Sequence, residues 1–163
     1  TMGRQLPYKR YDLAVEACTK LGLKLKVFGN GPVHQKLVKM AGPTVEFYTD
    51  RFGDASDAEL EKALSQAKGF IYAAEEDFGI VTVEALSAGT PVIAYGKAGT
   101  LDIVTSEEVG VLFRHQTIED TIGAIKRSER LQFFPSTLQR TAKRFDKTLF
   151  ITKMRKVVGS QLS

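Results

Sequence analysis

Cysteine, tryptophan and long apolar stretches are scarce or missing in this 163-residue sequence. The single cysteine, Cys18, excludes a disulfide within the chain, so we expect a reducing, cytoplasmic setting. No apolar run approaches the ~18 residues of a membrane-spanning helix, and no stretch has the pattern of a secretory signal peptide. The sequence therefore predicts a cytoplasmic protein, with any membrane contact restricted to the inner surface.

The sequence also has almost no excess of one charge sign. It contains 23 Lys and Arg residues and 19 Asp and Glu residues, which give a net charge of +4. That excess is too small to indicate nucleic-acid binding, and we expect no nucleic-acid partner. It suits an anionic ligand or an acidic membrane surface. Hydrophobic residues make up 43% and charged residues 26%, which is typical of a globular domain.

Short segments rich in Val, Ile, Phe and Tyr recur along the chain, each bounded by Gly or Pro. This pattern is typical of buried parallel strands. A strand would normally precede the loop at the start of the sequence, so we expect the first residues to be the end of one. The other predicted strands are Lys24–Gly29, Thr44–Tyr48, Gly69–Ala74, Pro91–Tyr95 and Val109–Phe113.

Helical patterns alternate with these strands. The first has an apolar face that includes Cys18, which we expect in the core. Pro32 suits the first turn of the second helix, and Ser56 and Glu59 have the spacing of a capping box. The predicted helices are Asp12–Leu21, Pro32–Ala41, Ser56–Ala67, Ile80–Ala88, Thr117–Leu131, Ser136–Arg144 and Lys147–Val158.

Alternating strands and helices predict an α/β fold: a doubly wound parallel sheet with helices on both faces. We interpret residues 1–163 as one Rossmann-like domain whose last part, from about residue 117 to 158, is helical. Ligands of such sheets bind at the carboxyl ends of the strands. The loops that follow the strands are therefore the candidate site.

These loops contain the groups that a phosphate needs. Arg4 and Lys9 lie in the first loop. The helix that starts at Ile80 follows Phe78 and Gly79, so its free amides form an anion site that a ligand can approach closely at the glycine. A phosphate-bearing ligand is the simplest interpretation.

Two glutamates, Glu76 and Glu84, flank that helix start with seven residues between them. Carboxylates accept hydrogen bonds from hydroxyl groups, as acidic residues do from ribose in dinucleotide-binding folds. Glu84 lies about one turn into the helix and Glu76 lies in the loop before it. The pair would bracket a phosphate, one holding a ribose and the other a sugar, which indicates a nucleotide-sugar site.

The same stretch, EEDFGIVTVEALSAGTPVIA, is similar to the E-x7-E signature of the family 4 glycosyltransferases, retaining enzymes of the GT-B fold. The segment GRQLPYKRYDLAVEA resembles their first loop and helix, with Arg4 and Lys9 at the positively charged positions. GNGP, YGKAGTLDIV and RFDKTLF fit the same pattern. The resemblance covers nearly the whole chain and is closest to the mannosyltransferase-like branch that acts in polysaccharide biosynthesis.

The resemblance assigns roles to individual residues. It implies that Glu84 holds the ribose hydroxyls, that Glu76 contacts the donor sugar, and that Arg4 and Lys9 hold the diphosphate and stabilise the leaving group. The remaining donor-binding residues that it implies are Phe78, Gly79, Ile80 and Val81 at the sugar and phosphate, and Gly29, Gly31, Tyr48 and Arg51 at the base.

The chain departs from the family pattern at three places. Thr82 stands where a proline is common, Ala98 replaces a glycine in the loop from Gly96 to Thr100, and the loop TDRFGDAS is longer than usual. No D-x-D motif occurs, which fits a metal-independent enzyme without a cofactor.

The resemblance implies the donor-binding domain of a retaining glycosyltransferase. It would transfer a hexose such as mannose from a GDP- or UDP-sugar to a glycan or lipid-linked acceptor. Family members hold the acceptor in an N-terminal domain for which these 163 residues do not account. By themselves, the residues are expected to bind a donor but not to transfer its sugar.

Other interpretations of these residues remain open. The chain could be a non-catalytic module that binds a nucleotide or nucleotide sugar, or a flavodoxin-like interaction domain without a nucleotide. As a hydrolytic pair, Glu76 and Glu84 would lie ~12 Å apart if both were helical, beyond the ~5–9.5 Å of glycosidases. His34 and His115 are expected at the surface, and the basic run from Arg140 to Val158 would meet a membrane, a partner domain or solvent.

Overall fold

The computed structural model describes residues 1–48 and 55–161, with side chains as far as residue 159. Strands and helices alternate along the chain, as predicted. The strands are β1 (Leu25–Val27), β2 (Val45–Phe47), β3 (Phe70–Tyr72), β4 (Val92–Tyr95) and β5 (Gly110–Phe113). The helices are α1 (Tyr11–Leu21), α2 (His34–Met40), α3 (Asp57–Ser65), α4 (Ile80–Ser87), α5 (Thr100–Ile103), α6 (Ile118–Ser128), α7 (Pro135–Ala142) and α8 (Lys147–Gln161).

All strand pairs are parallel. β1 pairs with β2, and β3, β4 and β5 pair in that order in a second sheet. The first residues run beside β1, where Met2 forms a parallel bridge with Phe28, so they are the end of a strand, as expected. The predicted class, a parallel α/β fold, is confirmed.

Two groups of buried side chains form the core. One contains residues of α1, α2 and α6, and the other contains residues of α3, α4 and α7. Neighbouring residues of β3 divide between them, since Ile71 belongs to the first group and Phe70 and Tyr72 to the second. Because successive side chains of a strand point to opposite faces, helices cover both faces of the sheet. Cys18 is buried in the first group, as predicted.

The ends of some helices differ from the predicted ones, although Ser56 and Glu59 form the predicted capping box. The second helix begins at His34 rather than at Pro32, because the amide of Val33 donates to the carbonyl of Gln5 and joins this turn to the first loop. The helix predicted to reach Leu131 ends at Ser128.

Two short helices have no periodic signal in the sequence. They are a 3-10 helix at Pro7–Lys9 and the four-residue helix α5. The terminal helix extends to Gln161, beyond the predicted Val158. Within the described ranges, no helix is long and apolar enough to cross a membrane.

Candidate functional site

Loops from separate parts of the chain meet at the carboxyl edge of the strands. Glu76 lies in the loop after β3 and is the centre of a polar cluster there. The Lys9 Nζ lies 3.1 Å from its Oε1, and the Tyr8 hydroxyl donates to the same oxygen over 2.9 Å. The Tyr72 hydroxyl, from the end of β3, donates to Oε2. Three donors thus hold one carboxylate in place.

The charge of Glu76 is stabilised by these donors. Burial alone would raise its pKa, but the hydrogen bonds from Tyr72 and Tyr8 and the contact with Lys9 outweigh burial, so the pKa lies below its usual value. Burial raises the pKa of Tyr72, and the hydrogen bond to Glu76 raises it further. The carboxylate is therefore ionised and the tyrosine protonated at neutral pH.

The start of α4 lies directly after this cluster. Gly79 is the N-cap, with a left-handed φ of 77°, and a Cβ there would lie 3.0 Å from the Tyr72 hydroxyl oxygen. Thr82 donates its amide and its hydroxyl to the Gly79 carbonyl. The amides of Ile80 and Val81 belong to the first turn, where no intrahelical acceptor exists. The first-turn amides are therefore placed as the predicted anion site requires, and anion binding there stays a prediction.

A second glycine fixes the neighbouring loop. The amide of Gly99 donates to the Glu76 carbonyl over 3.0 Å, and a Cβ at Gly99 would lie 2.3 Å from the Asp77 carbonyl oxygen. Ala98, where the family pattern has glycine, keeps a left-handed φ of 52°. The loop after β4 therefore supports the loop that carries Glu76.

The first loop is joined to the loop after β1 by a buried amide. The Gln5 Nε2 donates to the Gly29 carbonyl over 2.6 Å, and its Oε1 lies 2.9 Å from His34 Nδ1. A Cβ at Gly29 would lie 2.2 Å from the Gly3 carbonyl oxygen, and one at Gly31 would lie 2.5 Å from that of Gln5. Both glycines are required for this close packing.

The other predicted residues are arranged less tightly. Arg4 is exposed in the first loop and forms no ion pair with any described residue. Tyr48 follows β2 and stacks on Phe28 with 4.8 Å between ring centroids, and its exposed hydroxyl donates to Glu46. Arg51 lies outside the described residues.

Glu84 lies on the exposed side of α4, five residues after Gly79, or about 7.5 Å along the helix axis. Among the described residues it accepts no side-chain hydrogen bond and forms no ion pair. Partial withdrawal of the carboxyl group from water, together with the negative charge of Asp57, raises its pKa although the residue as a whole is exposed. Its carboxylate is available to an added donor, whereas that of Glu76 is already held.

Sequence reasoning did not predict the two tyrosines or Gln5. Tyr8 precedes Lys9 directly, and its position in a loop of cations was the one available signal. Tyr72 was included in a strand without a role, because strand patterning gives the face of a side chain and not its hydrogen bonds. His34, predicted at the surface, is half-buried beside Phe47, whereas the exposed His115 matches the prediction.

Comparison with known proteins gives the family. Residues 1–147 match the family described as Glycosyl transferases group 1. A GDP-mannose-dependent alpha-mannosyltransferase of Mycobacterium tuberculosis (strain CDC 1551 / Oshkosh) is 31% identical over 112 residues, which cover 68% of this chain and 28% of the relative. The chain spans between 14% and 28% of the length of the curated relatives that it matches.

Solved structures share the fold. The lipopolysaccharide outer core galactosyltransferase WaaB superposes with a TM-score of 0.83 at 18% identity, over 98% of this chain and 48% of that chain. The pneumococcal O-GlcNAc transferase GtfA, solved with UDP and GlcNAc, superposes with a TM-score of 0.79 at 21% identity, over 99% of this chain and 35% of that chain. Together with the matched residues, these similarities show that the chain belongs to the group 1 glycosyltransferases and has the fold of a GT-B glycosyltransferase domain.

Proposed function

We propose that this chain binds a nucleotide sugar, GDP- or UDP-linked, as the donor half of a retaining glycosyltransferase. The observation that carries the proposal is the meeting of Lys9, Glu76 and the first turn of α4 at the carboxyl edge of the strands. The relative from Mycobacterium tuberculosis favours GDP and mannose. The complex of the pneumococcal enzyme with UDP and GlcNAc supports a site of the same general kind.

The diphosphate would lie against the amides of Ile80 and Val81. A helix start attracts anions through its free N–H groups and its dipole. Arg4 and Lys9 would add charge to the same oxygens. Glu84 would accept hydrogen bonds from the ribose, and the base would extend toward the loop of Gly29 and Gly31, with Tyr48 and Arg51 beyond it.

Glu76 would accept hydrogen bonds from hydroxyls of the donor sugar. Lys9 would then be shared between this carboxylate and the leaving phosphate, because its Nζ already lies 3.1 Å from Glu76 Oε1. In the reaction the phosphate gains negative charge as the sugar leaves. A cation and oriented amides placed beforehand stabilise that charge, so we propose that transfer requires no metal ion and no other cofactor.

A second domain would hold the acceptor, a glycan or a lipid-linked saccharide. The candidate surface for that domain is the exposed face of α8, on which Phe150, Met154, Val157 and Val158 are solvent-exposed beside lysine and arginine. The same basic, apolar face would also permit peripheral contact with the inner surface of a membrane. Closure over the donor would exclude water and align the reacting groups.

Isothermal titration of the 163 residues with GDP, UDP, GDP-mannose and UDP-glucose, all in EDTA, tests donor binding. Binding of a nucleotide sugar in EDTA supports the proposal. Binding that is seen only when Mg²⁺ replaces EDTA would contradict metal independence. A transfer assay with a matching acceptor-binding domain added separates an enzyme from a non-catalytic module. Donor binding with no transfer in that assay would favour the regulatory module.

A further inference from the structure

His34 lies at the carboxyl edge of the strands, between the loop that follows β1 and the end of β2. Its amide donates to the carbonyl of Gly31 over 3.0 Å, and its ring meets that of Phe47 edge-on, with 5.3 Å between the centroids and 85° between the planes. The proposed function brings the nucleobase to this loop, beside Gly29 and Gly31. It gives no role to His34, although the side chain is half-buried there.

A buried glutamine determines which ring nitrogen of His34 carries the proton. Gln5 is fully buried, and its Nε2 donates to the Gly29 carbonyl over 2.6 Å, so this side-chain atom must be the amide nitrogen. The other atom of the amide, Oε1, lies 2.9 Å from His34 Nδ1. Because an amide oxygen can only accept, Nδ1 must be the donor in this contact. The contact with Gln5 thus assigns the Nδ1–H tautomer.

The second ring nitrogen, Nε2, is a hydrogen-bond acceptor when the imidazole is neutral. Within the described part of the chain, it bonds to no other residue. It is not buried either, since Thr44 Oγ1 is the one buried side-chain polar atom without a hydrogen bond among the described residues. Nε2 is therefore accessible from solvent, and its direction is fixed because Gln5 and Phe47 contact the ring from two sides.

The two nucleobases that the proposed function leaves open share a group that fits such an acceptor. Guanine carries a hydrogen on its ring nitrogen N1, and uracil carries one on N3. Adenine and cytosine have a lone pair at the corresponding ring position, which would face the lone pair of Nε2. A site that is built to hydrogen-bond an N–H group rejects the analogue that lacks it, because the polar group of the site then stays unpaired.

We propose that His34 Nε2 accepts a hydrogen bond from this ring N–H and so selects guanine or uracil donors over adenine or cytosine donors. Gln5 is a positioning residue, because it is buried and acts only through the tautomer and orientation of the ring. The inference rests on the proposed donor binding and adds to it the residue that reads the base. The selection depends on one N–H group, so it applies to purines and pyrimidines alike.

Five nucleoside diphosphates test the selection in matched sets. GDP and inosine diphosphate carry the N–H in a purine, where ADP lacks it, and UDP carries it in a pyrimidine, where CDP lacks it. Isothermal titration of the full chain in EDTA gives their Kd values at about pH 8.5, above the range in which histidine generally titrates. Within each ring class that binds, we expect the N–H nucleotides to bind about tenfold tighter than the nucleotide without it.

His34→Asn is the decisive variant. An asparagine amide nitrogen takes the place of Nδ1 and still donates to Gln5, whereas no acceptor remains at the place of Nε2. We expect the preference to fall to about twofold or less, and we expect His34→Gln, whose side-chain oxygen reaches the place of Nε2, to restore part of it. The matched control is His115→Asn, because this exposed histidine follows β5 and bonds to Asp120, and every ratio should stay unchanged.

An unchanged preference in His34→Asn would overturn the assignment and leave donor binding intact. Equal weakening of all five nucleotides would also overturn it, because a structural role changes affinity and not the ratio between bases. Binding of ADP or CDP as tight as that of the N–H nucleotides of the same ring class would do the same. If none of the five binds to the unsubstituted chain, the proposed function fails and the inference fails with it.

Discussion

The two glutamates of the candidate site have opposite surroundings. Glu76 accepts from Tyr8 and Tyr72, pairs with Lys9, and has a lowered pKa. Glu84 accepts no hydrogen bond from a described side chain and has a raised pKa. A carboxylate that is held before the ligand arrives can orient a sugar, whereas one that is exposed gains its first strong hydrogen bonds from the ligand. The predictions below follow from this difference.

The largest effect is expected for Glu84→Ala. Loss of a carboxylate that accepts from two ribose hydroxyls should weaken binding of the nucleoside diphosphate by about 1.5–3 kcal/mol, or roughly ten- to hundred-fold in Kd. Isothermal titration calorimetry measures this. The matched control is Glu108→Ala, an exposed glutamate that precedes β5 at the opposite edge of the sheet, which should not change Kd.

Glu76→Ala should affect only the sugar. Affinity for the nucleotide sugar should fall by about 1.5 kcal/mol, the lower end of the range for hydrogen bonds to a charged group. Affinity for the plain diphosphate should be kept, because Lys9 remains and loses only a competing partner. Equal losses for the two ligands, measured side by side, would be incompatible with this division of roles.

Tyr72→Phe should remove one hydrogen bond to Glu76 and leave its carboxylate in place. Loss of one hydrogen bond to a partly buried charge should lower the free energy of unfolding by about 1 kcal/mol and reduce affinity for the nucleotide sugar but not for the diphosphate. Urea unfolding and calorimetry measure the two effects. Tyr95→Phe is the control, since Tyr95 is half-buried at the end of β4 and its hydroxyl donates to no described group. A change in stability alone would reduce Tyr72 to a structural role.

Lowering the pH should change the contributions of the two glutamates to the free energy of unfolding in opposite directions, with smaller effects than the substitutions above. Both have a usual pKa of about 4.5. The folded pKa of Glu76 is lower than 4.5, so its ionised form stabilises the fold fully above about pH 4.5. This contribution is lost as the pH falls through the folded pKa. The folded pKa of Glu84 is higher, so protonation stabilises the fold as pH falls through that pKa.

Accordingly, Glu76→Gln should be less stable than the unsubstituted chain at pH 7, and Glu84→Gln should be as stable or more stable. Both differences should shrink as the pH falls below the folded pKa of each glutamate, where the carboxyl group is protonated in folded and unfolded chains alike. Urea unfolding in a series of buffers from pH 7 downward tests this. Differences of the same sign for both variants would show that their surroundings do not differ as described.

The sequence was sufficient for the described strands, for the longer helices and for the loops of the candidate site, but not for the 3-10 helix at Pro7–Lys9 or for α5. Strand and helix periodicity identified every strand, and the rule for parallel sheets placed Arg4, Lys9 and Gly79 at one edge. Hydrogen bonds between loops were not predictable, because they depend on which side chains meet after folding. The bonds of Tyr8 and Tyr72 to Glu76, which lie 68 and 4 residues away, show this limit.

The account depends on the diphosphate lying at the first turn of α4, and a titration followed by amide NMR tests this most directly. GDP and UDP are added in turn to the labelled chain in EDTA. We predict that one of them shifts the amides of Gly79, Ile80, Val81 and Lys9 most strongly, while those of Lys68 and Glu129, at the opposite edge, stay unchanged. Shifts concentrated at the opposite edge, or none with either nucleotide at millimolar concentration, would contradict the account.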